Sequence, residues 1–169
     1  MEISLHLDPD DIAEFRAGLD CARALAGSMD ECDVVDAAKT SLDNLPIAAA
    51  PGYVRRQLSR VQMLIAMLED EDFALPQPER AEVLTALVYL SDPDDLVPDS
   101  RAVVGLLDDA IVVELVMREL GLVVQTYEIF VAERRAALES HAGDRMGLAR
   151  HLAGCRIRLL ARLRGAEAG

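Results

Sequence analysis

The chain has 169 residues, a usual length for one domain and enough to bury about 70% of the surface that its unfolded form exposes. It is 51% apolar yet holds three Phe, three Tyr and no Trp, so its core must be built from Leu, Val, Ala, Ile and Met, a mixture that favours helices. The net charge of −13 is uneven: residues 1–144 carry 29 acids and 11 bases, residues 145–164 six arginines and no acid, so nucleic-acid binding is excluded from the acidic body.

Asp8-Pro9-Asp10-Asp11 predicts a helix start, with Asp8 as N-cap, Pro9 in the first helical position and acids against the positive end of the dipole. Ile12, Phe15, Leu19, Ala22 and Leu25 then recur at three- and four-residue steps, and Gly27-Ser28 ends the helix. A second helix is predicted over 30–44, with Val34, Val35, Ala38, Leu42 and Leu45 inward, followed by a loop bounded by Pro46 and Pro51-Gly52. The third, over 53–72, has a clean seam of Val54, Leu58, Val61, Ile65 and Leu68 suited to bundle packing. Its acidic run Glu69-Asp70-Glu71-Asp72 sits where the dipole disfavours negative charge, which predicts fraying into a solvated loop.

A fourth helix begins near Pro78-Glu79 and continues through Val83, Leu84, Leu87 and Val88 to Tyr89 or Leu90. Residues 106–138 read as one long helix or two joined near Gly121, apolar nearly all round the first half, which predicts burial in the middle of a bundle. Within it Glu114 and Arg118 are spaced for an intrahelical pair. His141-Ala142-Gly143 ends that segment, and a basic helix over 144–164 points Leu148, Leu152, Cys155, Leu159 and Leu163 one way. Its Arg156, Arg158 and Arg162 flank this stripe and are expected to reach carboxylates on the chain's own acidic body. No strand-like alternation and no internal repeat interrupts the pattern, so the expected architecture is all-α, a single bundle of about six helices.

Glu2, His6, Asp8, Asp10 and Asp11 interrupt any apolar signal region, and the most hydrophobic run, 110–124, is broken by Glu114, Arg118 and Glu119 before it reaches membrane-spanning length. The expected location is therefore the cytoplasm, without a transmembrane segment. Three cysteines, Cys21, Cys32 and Cys155, lack C-x-x-C or zinc spacing and read as reduced thiols buried as small hydrophobes. His6, His141 and His151 have no matched ligand spacing, and no nucleophile elbow, zincin helix or phosphate loop is present.

The densest chemical feature is the turn between the fourth helix and the long segment, which holds six aspartates in eighteen residues, from Asp92 to Asp109. Asp92-Pro93 and Pro98-Asp99 keep it from becoming helix, because the residue before each proline is pushed out of the α region. Its acids admit two uses. Asp99, Asp108 and Asp109 suit the capping of helix starts, and Asp95, Asp99, Asp108 and Asp109 together form a candidate oxygen-only site for Mg²⁺ or Ca²⁺, with a structural or hydrolytic role. Arg101 lies in the same loop and compensates part of the charge.

Asp92-Pro93, Asp95-Leu96-Val97-Pro98-Asp99, Gly105 and Leu107-Asp108-Asp109 resemble the signature of the YkvA-like bacterial domain of unknown function, with no gap between the two acidic halves. The resemblance covers about residues 84–122. Ala102 stands where the family usually has proline, and Ser100-Arg101 replaces a typically apolar pair. The resemblance implies a small helical domain and leaves function open. The reading that follows is a non-enzymatic interaction or regulatory module, binding an unknown protein partner or a second copy of itself. The alternatives are a divalent-cation protein using the acidic turn and a peripheral membrane protein using the arginine-rich helix.

Overall fold

The computed structural model describes residues 9–44, 52–91 and 113–167. Among them the chain forms seven helices and no strand, an all-α fold. Helix α1 spans Pro9–Ala26 and closes where the Ser28 N–H and Oγ both donate to the Leu25 carbonyl, at 2.9 and 2.8 Å. Phe15 and Ala22 of its predicted stripe are buried, whereas Ile12 and Leu25 are exposed. Helix α2, Glu31–Asn44, is capped by Asp30, whose Oδ1 accepts the Cys32 N–H at 2.9 Å. Helix α3, Gly52–Glu69, buries Leu58, Val61, Ile65 and Leu68 of its predicted seam, together with Leu64 and Met67.

Helix α4, Glu79–Leu90, packs against α1, α2 and α3. This three-sided enclosure explains why Val83, Thr85, Ala86, Leu87 and Tyr89 are all buried on so short a helix. The approach of α1 depends on Gly18: a Cβ there would stand 2.5 Å from the Tyr89 ring, which is fixed edge-on against Phe15 at a centroid distance of 5.6 Å.

Residues 113–119 are helical (α5), and α6 follows as Gly121–Ser140. The join is a slight loosening at Leu120, whose N–H still donates to the Val116 carbonyl and whose own carbonyl accepts the Val124 N–H. Burial differs from the sequence expectation. Val113, Val116, Leu120, Val123 and Val124 are buried, but Leu115 is only half-buried and Leu122 is 50% exposed, so the described part of this segment has one wet side. Glu114 belongs to that side, pairing with Arg60 of α3 as well as with Arg118 at 3.6 Å.

Helix α7 spans Arg145–Glu167 and packs along α6. The turn between them uses Gly143 at φ +88°, a left-handed conformation open to glycine at little cost, and Asp144 caps α7 by accepting the Gly147 N–H at 2.9 Å. Leu152, Cys155, Leu159 and Leu163 are buried as expected, with Leu160 added. The loop after α3 joins α6 to the first four helices, for the fully buried Phe73 meets Tyr127 and Phe130 at 5.0 and 5.2 Å. Among the described residues no helix is long and apolar enough to cross a membrane.

Candidate functional site

The four acids of the candidate cation site, Asp95, Asp99, Asp108 and Asp109, lie outside the described residues, as does Arg101. Among the described residues no group of three or more His, Cys, Asp or Glu side chains is placed to hold a metal ion.

The second acidic run is more structured than its charge predicts. Helix α3 stops at Glu69, and the Asp70 side chain turns inward until it is 7% exposed. Its Oδ1 accepts the Phe73 N–H at 3.1 Å and Arg134 Nη1 at 2.9 Å, while Oδ2 accepts the Tyr127 hydroxyl at 3.0 Å. Three donors from two elements satisfy one carboxylate, so this acid ties the loop to α6 instead of facing solvent. Burial, then the charge of Asp70 beside it, pushes the Tyr127 phenol up to about 12. Sequence reasoning missed the site because both side-chain partners lie far along the chain. Glu69, Glu71 and Asp72 line the open depression outside it, and Asp72 approaches Arg134 at 3.6 Å.

Two further contacts fix this corner. Arg80 forms a two-pronged ion pair with Glu31 of α2 and donates to the Leu68 carbonyl at 3.0 Å. Arg156 of α7 donates to the Ala74 carbonyl at 3.2 Å, so it reaches the body through a backbone acceptor and not through the carboxylate expected of it. Glu79, the first residue of α4, is 1% exposed, and among the described residues neither carboxyl oxygen has a hydrogen-bond partner.

A groove of about 490 Å³ lies between α6 and α7. Ile129 and Glu133 form the α6 wall, one turn apart, and Arg158 and Arg162 are likewise one turn apart on α7. Cys155, Leu159 and Ala161 also line it. Ile129 is 41% exposed, an apolar side chain left partly uncovered by the fold. Among the described residues no carboxylate lies within ion-pair distance of Arg158 or Arg162, nor of Arg145, Arg150 or Arg164 on the same helix. These five arginines are exposed and, among the described residues, unmatched, contrary to the expectation that Arg158 and Arg162 pair with the chain's own acids.

The thiols and imidazoles divide differently from expectation. Only Cys155 is buried; Cys21 and Cys32 are exposed, since they fall on the wet faces of α1 and α2. Burial, then the nearby Glu133 carboxylate, pushes the Cys155 thiol up despite Arg158, which leaves it a poor nucleophile. His141 meets His151 at a ring-centroid distance of 5.4 Å with the rings tilted by 48°, and shares its Nδ1 with the Ala137 carbonyl and Ser140 Oγ, closing the α6–α7 turn, while His6 lies outside the described residues.

No curated protein matches the chain, and no solved structure does. A family model described as a protein of unknown function (DUF1232) matches residues 79–115, starting at the first residue of α4 and ending in α5, a narrower span than the 84–122 of the sequence reading on its C-terminal side and a wider one on its N-terminal side. The stretch that carries the acidic proline turn is therefore similar to DUF1232, the family of unknown function that includes the YkvA-like proteins.

Proposed function

We propose that this protein is a non-enzymatic interaction module that holds a protein partner in the α6–α7 groove. One observation carries the reading. The groove combines an apolar lining, Ile129, Leu159 and Ala161, with two guanidinium groups that have no carboxylate partner in their own chain among the described residues. Partly uncovered apolar side chains beside arginine are what protein-binding surfaces enrich, because the apolar part supplies desolvation and the arginine supplies oriented hydrogen bonds. None of the residues that line the groove falls within the DUF1232 match, so the reading rests on the part of the chain outside it.

A second reading has its own observation. Met146 and Ile157 are 75% and 69% exposed on α7, the helix that carries the outward arginines, which suits contact with anionic lipid. The two readings separate by site-specific photo-crosslinking in cells that express the protein. A photoreactive side chain at Ala161, inside the groove, should give discrete protein adducts that disappear with Arg158→Glu/Arg162→Glu. The same group at the exposed Ala13 of α1 should not. Identical adduct patterns at both positions, or none at Ala161, would contradict the interaction reading.

A further inference from the structure

Resting on the groove reading above, we infer that the groove takes an acidic amphipathic helix from another protein. Two helices with a gap between them admit a third in the packing geometry that bundles use, with axes about 8–10 Å apart. Such a helix would lay apolar residues at i, i+3 or i+4 and i+7 against Ile129, Leu159 and Ala161.

Charge then sets its orientation. Arg158 and Arg162 stand four residues apart on one wall, about 6 Å along the axis, so carboxylates at i and i+4 on the partner meet them in register. The opposite wall presents Glu133, whose carboxylate is 4.0 Å from His151. The partner flank that faces α6 is therefore neutral or basic, and an acid there is selected against. The groove thus reads a helix with acid on one flank only.

The other occupants fit less well. An isologous contact that put α7 on the two-fold axis would set its outward arginines against their own equivalents, and a heterologous contact between the basic helix and an acidic surface of the next copy would build a ring or an open filament instead of a pair. A bilayer is flat where the groove is concave. Outside the groove, the apolar stripe that α7 would need for insertion is already buried, at Leu152 and Leu163, and the acidic body opposes approach to an anionic surface.

The test uses the full chain and designed, labelled peptides of about 18 residues, long enough for five helical turns. One peptide carries Glu at i and i+4 beside an apolar stripe, with Gln on the other flank; its counterpart carries Lys in place of Glu. Fluorescence anisotropy should show binding of the Glu peptide that weakens with salt and falls at least about tenfold with Arg158→Glu/Arg162→Glu, while the Lys peptide gains. Arg158→Gln/Arg162→Gln should give an intermediate loss, and circular dichroism checks that each variant stays helical. Equal binding of both peptides, no binding of either, or binding indifferent to the two arginines overturns the inference. So does co-sedimentation with phosphatidylcholine–phosphatidylglycerol vesicles that depends on Arg158 and Arg162 while neither peptide binds. Protein adducts at Ala161 alongside failed peptide binding would remove the acidic helix and keep the groove; loss of those adducts removes both.

Discussion

Replacing Asp70 by Ala removes the acceptor for three donors at once, and its cost follows from what each donor then finds. Arg134 is 26% exposed and keeps Asp72 at 3.6 Å, so it loses only part of a charged hydrogen bond, about 1.5 kcal/mol. The Tyr127 hydroxyl and the Phe73 N–H each lose a bond worth about 1 kcal/mol and have no other acceptor among the described residues. The expected destabilisation is therefore about 3–4 kcal/mol, within the range for breaking a buried pair from one side. For a chain of this length that corresponds to a fall in the melting temperature of about 6–16 °C. Urea unfolding followed by circular dichroism and by tyrosine fluorescence gives the free energy and checks that the two signals coincide. Tyr127→Phe alone should cost about 1 kcal/mol and should add little on top of Asp70→Ala, because the hydroxyl then has already lost its partner. An Asp70→Ala cost below about 1 kcal/mol, or full additivity of the pair, would refute the clamp.

Four other outcomes are expected. Tyr127 stays neutral in the folded state up to about pH 12 while an unfolded tyrosine ionises near 10, so its contribution is intact below pH 10 and is lost between 10 and 12; Tyr127→Phe should flatten that part of the pH–stability curve measured by urea midpoint. Gly18→Ala should destabilise by about 0–2 kcal/mol in the same assay, since overpacking against Tyr89 costs about 1–3 kcal/mol and alanine returns about 1 in helix propensity. Glu79→Met should stabilise by about 1–2 kcal/mol, because burying a carboxyl without a partner costs more than the helix-dipole interaction returns; a loss of stability would mean that the carboxyl has an unseen partner. Asp95→Ala and Asp108→Ala should each cost about 1 kcal/mol and add, as separate caps do, with the melting temperature unmoved by chelator; strong coupling that chelator reproduces would assign the turn to a cation instead.

Much of the fold was legible because local signals and packing agree. The α3 seam, the starts of α2 and α7 near Asp30 and Asp144 and the turn at Gly143 are short-range features, and periodicity plus turn chemistry identifies them. What was not legible depends on distant partners. Asp70 looks like one acid in a solvated run until Tyr127 and Arg134 are brought against it, and nothing within the run distinguishes it from Asp72. The segment after the acidic turn is apolar nearly all round, yet Leu122 remains exposed, since hydrophobicity says what can be buried and only neighbours decide what is. The groove was hidden for a related reason. Ile129 reads as one more apolar residue of α6, and Arg158 and Arg162 of α7 read as partners for the chain's own acids, although among the described residues they are exposed and have no ion-pair partner.

The central claim, that the α6–α7 groove is the protein's interaction surface, is tested most directly by mapping amide and methyl chemical shifts of the full chain by NMR during titration with the Glu-flanked peptide. The account predicts shifts concentrated at Ile129, Glu133, Cys155, Arg158, Ala161 and Arg162, with α1 and α2 unmoved. Shifts centred on α1 and α2, or spread without focus over the whole basic face of α7, would contradict it.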